Sequence, residues 1–85
     1  MTSNVLANYD RVSDVLYLSV GQPDSAAGSA EDDEGLIWRS VDGKCVGVTI
    51  PDFTYRWNGR EGELAHLLFA HLPEQAVVRA LASAH

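Results

Sequence analysis

The chain has 85 residues, enough for one domain whose modest core buries roughly 60–65% of the unfolded surface. Hydrophobic residues at 46% and charged residues at 21% exclude a disordered composition. Twelve acids against six bases give a net charge of −6; with the basic residues scattered, this argues against a phosphate-backbone binder, which would need a local basic patch, and one cysteine excludes an internal disulfide or a thiolate metal site.

The first ten residues carry no basic stretch and no apolar run of signal length, and nowhere do 18 apolar residues follow one another. The expectation is a soluble cytoplasmic protein with no membrane partner. Asn4 to Asn8 reads as a first strand, and Tyr9 to Asp14 as a turn. Val15-Leu16-Tyr17-Leu18-Ser19-Val20 is the clearest strand. Its alternation sends Leu16, Leu18 and Val20 to the core, and Val15, Tyr17 and Ser19 to the opposite side. Asp10 and Asp14 could be paired carboxylates for acid–base work, but aspartates at turns more often bind backbone amides.

Gly21 to Asp33 is small, polar and acidic, and reads as an exposed loop with one brief extended segment near Ala26. The run Glu31-Asp32-Asp33-Glu34 offers oxygen ligands for a divalent cation. It lacks the glycine-turned spacing of a calcium loop, so a solvated run is expected.

Glu34 to Ile50 is the organising stretch, because two apolar-rich runs flank Asp42-Gly43. A two-residue type I′ turn needs positive φ at both central positions, which this pair supplies. A regular register then sets Val41 opposite Lys44, Ser40 opposite Cys45, Arg39 opposite Val46, Trp38 opposite Gly47, Ile37 opposite Val48 and Leu36 opposite Thr49. On that register Ile37, Val46, Val48 and Ile50 share one face, and Leu36, Trp38, Cys45 and Gly47 the other. Neither face is wholly polar, so cover is expected on both sides, one of them from a second subunit. Cys45 is expected as a small, half-buried hydrophobe.

Pro51 ends the strand. Asp52 to Trp57 fits either a short helical turn or a last strand; extended, it would align Phe53, Tyr55 and Trp57 as an aromatic row for the core, an interface or a ligand. Arg60 to Leu72 has helical periodicity. Leu64, Leu67, Leu68 and Leu72 form an apolar arc widened by Ala65 and Phe69, with Glu61 and Glu63 suited to the first turn. Glu74 to Ala84 reads as a second helix, and Pro73 could be its first residue.

Little points to catalysis. Glu63–His66 and His71–Glu74 have the spacing seen in di-iron bundles, but the chain has too few helices for the remaining ligands. No serine has a nucleophile-elbow context, the glycines form no phosphate-cradling loop, and Cys45 has no histidine near it in sequence. His71 is read as a helix-end histidine.

Tyr9-Asp10, Asp14, Leu16-Tyr17-Leu18, the acidic segment, Gly35-Leu36-Ile37, Asp42-Gly43 and Val46-Gly47-Val48-Thr49-Ile50 together resemble a small bacterial domain catalogued as a domain of unknown function, number 2283. The resemblance covers about half the chain, Asn8 to Thr54. It implies a compact antiparallel sheet with a helical segment, brings no activity, cofactor or catalytic residue, and carries a suspected antitoxin-like role in some members. Pro51-Asp52-Phe53-Thr54 departs from the family's Asp-Ala-Ser-like continuation, and the helical tail lies outside the match.

The expectation is an α+β fold: a three- to four-stranded antiparallel meander in residues 1–57, packed against a C-terminal helical extension in 58–85, as a single domain. The expected function is a non-enzymatic protein-interaction module that self-associates as a dimer, with no cofactor and no nucleic acid. Its candidate interface residues are Leu36, Trp38, Phe53, Tyr55, Trp57, Leu67 and Phe69. The alternative is a small-molecule or divalent-metal binding protein, or a hydrolase, using the acidic residues.

Overall fold

A computed structural model describes residues 5–20 and 28–83, with the side chain of residue 83 left aside. Among these residues five strands, β1 (Val5–Asp10), β2 (Val15–Val20), β3 (Gly28–Glu31), β4 (Ile37–Val41) and β5 (Lys44–Ile50), precede three helices, α1 (Phe53–Trp57), α2 (Glu61–Leu68) and α3 (Glu74–Ser83). The strands form one antiparallel sheet in the order β1-β2-β5-β4-β3. The expected α+β class is therefore correct. The simple meander is not, because β5 lies between β4 and β2 and joins two hairpin units.

The strand count also exceeds the expectation. Gly28–Glu31 pairs with β4 as an edge strand, although its four residues are all exposed and of low strand propensity. Neighbouring backbone supplies what its side chains do not. The extended segment expected near Ala26 lies outside the described residues. β1 runs two residues beyond Asn8, since Tyr9 and Asp10 still pair with Leu16 and Val15, and the turn shortens to residues 11–14.

The Asp42-Gly43 turn is as expected, with φ of 52° and 78° at its two residues. Val41 faces Lys44 and Ser40 faces Cys45. Beyond them the register slips by one, setting Arg39 opposite Gly47, Trp38 opposite Val48 and Ile37 opposite Thr49, which leaves Val46 bulged. The physical reason lies in the spacing of the apolar residues. Cys45, Val48 and Ile50 all pack towards the core, and the odd step from 45 to 48 cannot keep one face in a regular strand. One extra residue restores it. The expected face lists are corrected accordingly: Leu36, Trp38 and Cys45 join Val48 and Ile50 on the inner side, while Ile37 and Val46 turn away.

All three helices cover that inner side. Leu16, Leu18, Leu36, Val48 and Ile50 meet Phe53 and Trp57 of α1, Leu64, Ala65 and Leu68 of α2, Leu72, and Val77, Ala80 and Leu81 of α3 in one core. Among the described residues none that is polar or charged is buried. The helical layer thus begins at Phe53, ahead of residue 58. Residues 52–57 form a helical turn, which separates the aromatics: Phe53 and Trp57 point inward and Tyr55, between them, outward. α2 stops at Leu68 rather than Leu72. There the chain tightens through bonds from the Ala70 N–H to the Leu67 carbonyl and from the His71 N–H to the Leu68 carbonyl, as the residue before Pro73 disfavours helical backbone. Pro73 sits just ahead of α3 and accepts the Val77 N–H through its carbonyl.

Candidate functional site

The three described helices lie on one side of the sheet, and among the described residues nothing covers its opposite face. Strand pairing arranges its side chains in two rows across the strands. One runs Asn8, Tyr17, Thr49, Ile37, Glu31, and the other runs Leu6, Ser19, Gly47, Arg39, Ser29. The first is a ridge, with Tyr17 42% exposed. The second dips in the middle, where Ser19 and Gly47 carry almost no side chain, and rises at Leu6, which is 58% exposed.

The dip is part of a trough of about 320 Å³ lined by Leu6, Asn8, Tyr17, Ser19, Arg39, Val46, Gly47 and Thr49, with Leu18 and Val48 contributing to its floor. Its depth is built into the backbone. A Cβ on Gly47 would stand 2.7 Å from the Leu18 carbonyl oxygen, so β2 and β5 approach more closely than any other residue there would allow. The bulge at Val46 adds a further apolar side chain to the rim.

The candidate interface residues lie on the other side. Leu36, Phe53 and Trp57 are in the core, Trp38, Leu67 and Phe69 are partly buried against it, and of the seven only Tyr55 is freely exposed, at 87%. The trough residues Leu6, Ser19, Val46 and Gly47 were not among the candidates. The available signal was the pair of small residues, Ser19 and Gly47, within otherwise apolar strands.

The carboxylates hold the chain together. Asp14 sits in left-handed backbone, φ 59°. Its carbonyl accepts the Phe53 N–H at 2.8 Å. Its carboxylate accepts the Tyr9 hydroxyl at 2.6 Å, the Thr54 N–H at 3.0 Å, the Thr54 hydroxyl at 2.9 Å and the Tyr55 N–H at 3.2 Å. The first three amides of α1 are thereby satisfied from a turn some 40 residues earlier, the work an N-cap does locally. The Tyr9 hydroxyl, then the Thr54 amide, hold the Asp14 carboxyl down at about 2. The same bond to Asp14, with burial, pushes the Tyr9 phenol up. Asp10, bonded to Ser13 and to the Val12 amide, is also lowered.

Asp32 closes the β3–β4 turn by accepting the amides of Glu34 at 2.8 Å and Leu36 at 2.9 Å and the Trp38 indole N–H at 2.8 Å. Burial opposes its ionisation, but the indole and the two amides, with Arg56 nearby, outweigh burial and keep the carboxyl below its ordinary range. Among the described residues no three His, Cys, Asp or Glu side chains converge as a metal cage. His71 stacks edge-on to Trp38 with ring centres 4.8 Å apart, His66 lies edge-on to Phe69, and the half-buried Cys45 thiol reaches the Gly47 carbonyl at 3.6 Å. His85 lies outside the described residues.

A second, shallower cleft of about 490 Å³ lies between the β3–β4 turn and α2, lined by Glu34, Trp57, Arg60, Gly62, Glu63, His66 and Leu67. Two of its polar groups, Arg60 and Glu63, pair with each other. Arg60 donates to Glu63 and to the Arg56 carbonyl while lying 4.9 Å over the Trp57 ring. Among the described residues the buried Trp57 indole N–H meets no acceptor.

Compared with protein-family profiles, with curated proteins and with solved structures, the chain matches none. Among the described residues no helix is long and apolar enough to cross a membrane. Fold and geometry define a two-layer α+β domain with one sheet face covered by the helices and, among the described residues, nothing on the other.

Proposed function

We propose that this chain is a non-enzymatic protein-interaction module whose docking surface is the open face of its sheet. The observation carrying this reading is the trough over Ser19 and Gly47, flanked by the exposed apolar side chains of Leu6 and Tyr17, on the side opposite the three described helices. Antiparallel sheets often leave one face to water, but such faces are ordinarily polar. Apolar relief on a bare face fits protein contact better than solvation alone. The carboxylates support the reading in a second way: Asp10, Asp14 and Asp32 are committed to backbone and aromatic donors, which suits structural work rather than acid–base chemistry.

The test is in-cell cross-linking of the chain in its native host, comparing the natural sequence with Ser19→Trp. Filling the trough leaves the helical side untouched. Cross-linked partners, homologous or not, are expected to disappear in the variant. A partner set unchanged by Ser19→Trp, with the variant folded by circular dichroism, overturns the reading.

A further inference from the structure

We infer that the occupant of the open face is a second copy of the same chain, packed with its ridge in the first copy's trough. The inference rests on the docking-face reading above and names the partner for that surface. Its basis is the side-chain order of the two rows, which complement each other across a two-fold axis. Place the axis in the plane of the interface, across the strands and between the rows. Each ridge residue of one copy then lies over the trough residue of the same strand in the other.

Tyr17 seats over Ser19, Thr49 over Gly47 and Ile37 over the Arg39 stem, and Glu31 lies over Ser29 beside Arg39. Large side chains meet small ones along β2 and β5, the two strands that line the trough floor. The acidic end of each ridge lies over Ser29, one strand from the basic Arg39 of the facing trough, so an acidic chain can self-associate there without setting like charges opposite one another. The arrangement is isologous, as closed dimers require.

Its area is adequate. Five strands about 4.8 Å apart and about 20 Å long present about 500 Å² per copy, so two copies cover about 1,000 Å², the lower bound for a specific interface, before side-chain relief is added. Two such sheets would pack about 10 Å apart with strands nearly aligned.

The rival apolar surface is the groove between α2 and α3, where Val78 is 54% exposed beside Ala65, Leu81 and Ala82. Sedimentation velocity over a concentration series separates the two, using the full chain and three variants. The natural chain is expected to dimerise at tens of micromolar. Ser19→Trp fills the trough and Tyr17→Ser removes the ridge, so each is expected to weaken the dimer by about tenfold or more, while Val78→Glu leaves it intact. Because one variant adds volume and the other removes it, a folding defect in either leaves the other to decide. A dimer indifferent to both face variants, or dissolved by Val78→Glu, overturns the pairing. A monomer at every concentration does so too. If that monomer still holds a different protein in the native host and loses it with Ser19→Trp, the docking face stands and only the second copy is wrong.

Discussion

Replacing Gly47 by alanine tests the close approach of β2 and β5 that creates the trough. The added methyl group would stand 2.7 Å from the Leu18 carbonyl oxygen and 3.4 Å from the Ser19 Cα. Ordinary contact begins at 3.4 Å, so the first distance is short by about 0.7 Å. Both obstacles are backbone of a central strand and cannot swing aside as a side-chain tip would. Relief requires β2 and β5 to separate, which strains the ladder that pairs Ser19 with Gly47. Overpacking of this kind costs about 1–3 kcal/mol, while reduced freedom of the unfolded chain returns about 0.4–1 kcal/mol. The net expectation is a loss of about 1–2 kcal/mol, or roughly 5–15 °C in Tm for a domain of this size. Gly28→Ala is the control, because its nearest obstacle is the Ser40 carbonyl oxygen at 4.0 Å. Urea and thermal unfolding of both variants give the comparison. Gly47→Ala as stable as the natural chain, with Gly28→Ala equal to it, would refute the close approach and with it the origin of the trough.

Three further outcomes follow from the structure. The folded Asp14 carboxyl lies at about 2 against an ordinary value of 3.8, so its contribution to stability is complete above about pH 4 and is lost as pH falls towards 2. Asp14→Asn is therefore expected to be less stable at neutral pH and to show a shallower stability decline between pH 4 and 2, read by denaturant unfolding across that range; an unchanged acid profile contradicts the Asp14 assignment. The raised Tyr9 phenol has the opposite sign: its stabilisation is intact below pH 10 and fades as pH climbs through its folded value, and Tyr9→Phe should remove that alkaline loss in the same assay. Phe53→Ala should cost about 3–5 kcal/mol, enough to populate the unfolded state, whereas Tyr55→Ala should stay within about 0.5 kcal/mol. Equal effects in circular-dichroism melts would mean that the helical reading of residues 53–57 is wrong.

Much of this domain is set by local sequence. Asp42-Gly43 specifies its turn because few pairs tolerate positive φ twice, and the alternation of Val15 to Val20 orients β2 without help from its neighbours. The apolar spacing of Leu64, Leu68, Val77 and Leu81 likewise marks the inward sides of α2 and α3. Tertiary structure decided the rest, because the deciding partners are far apart in the chain. Gly28–Glu31 becomes a strand only where β4 offers a free edge, and residues 53–57 become a helix where Asp14 caps them across some 40 positions. The slip at Val46 follows from Cys45, Val48 and Ile50 sharing one core, a constraint that pairing rules for an isolated hairpin do not contain. The open face has the same origin: which side of a sheet stays bare depends on where the helices land, and that is settled by the whole core at once rather than by any one segment.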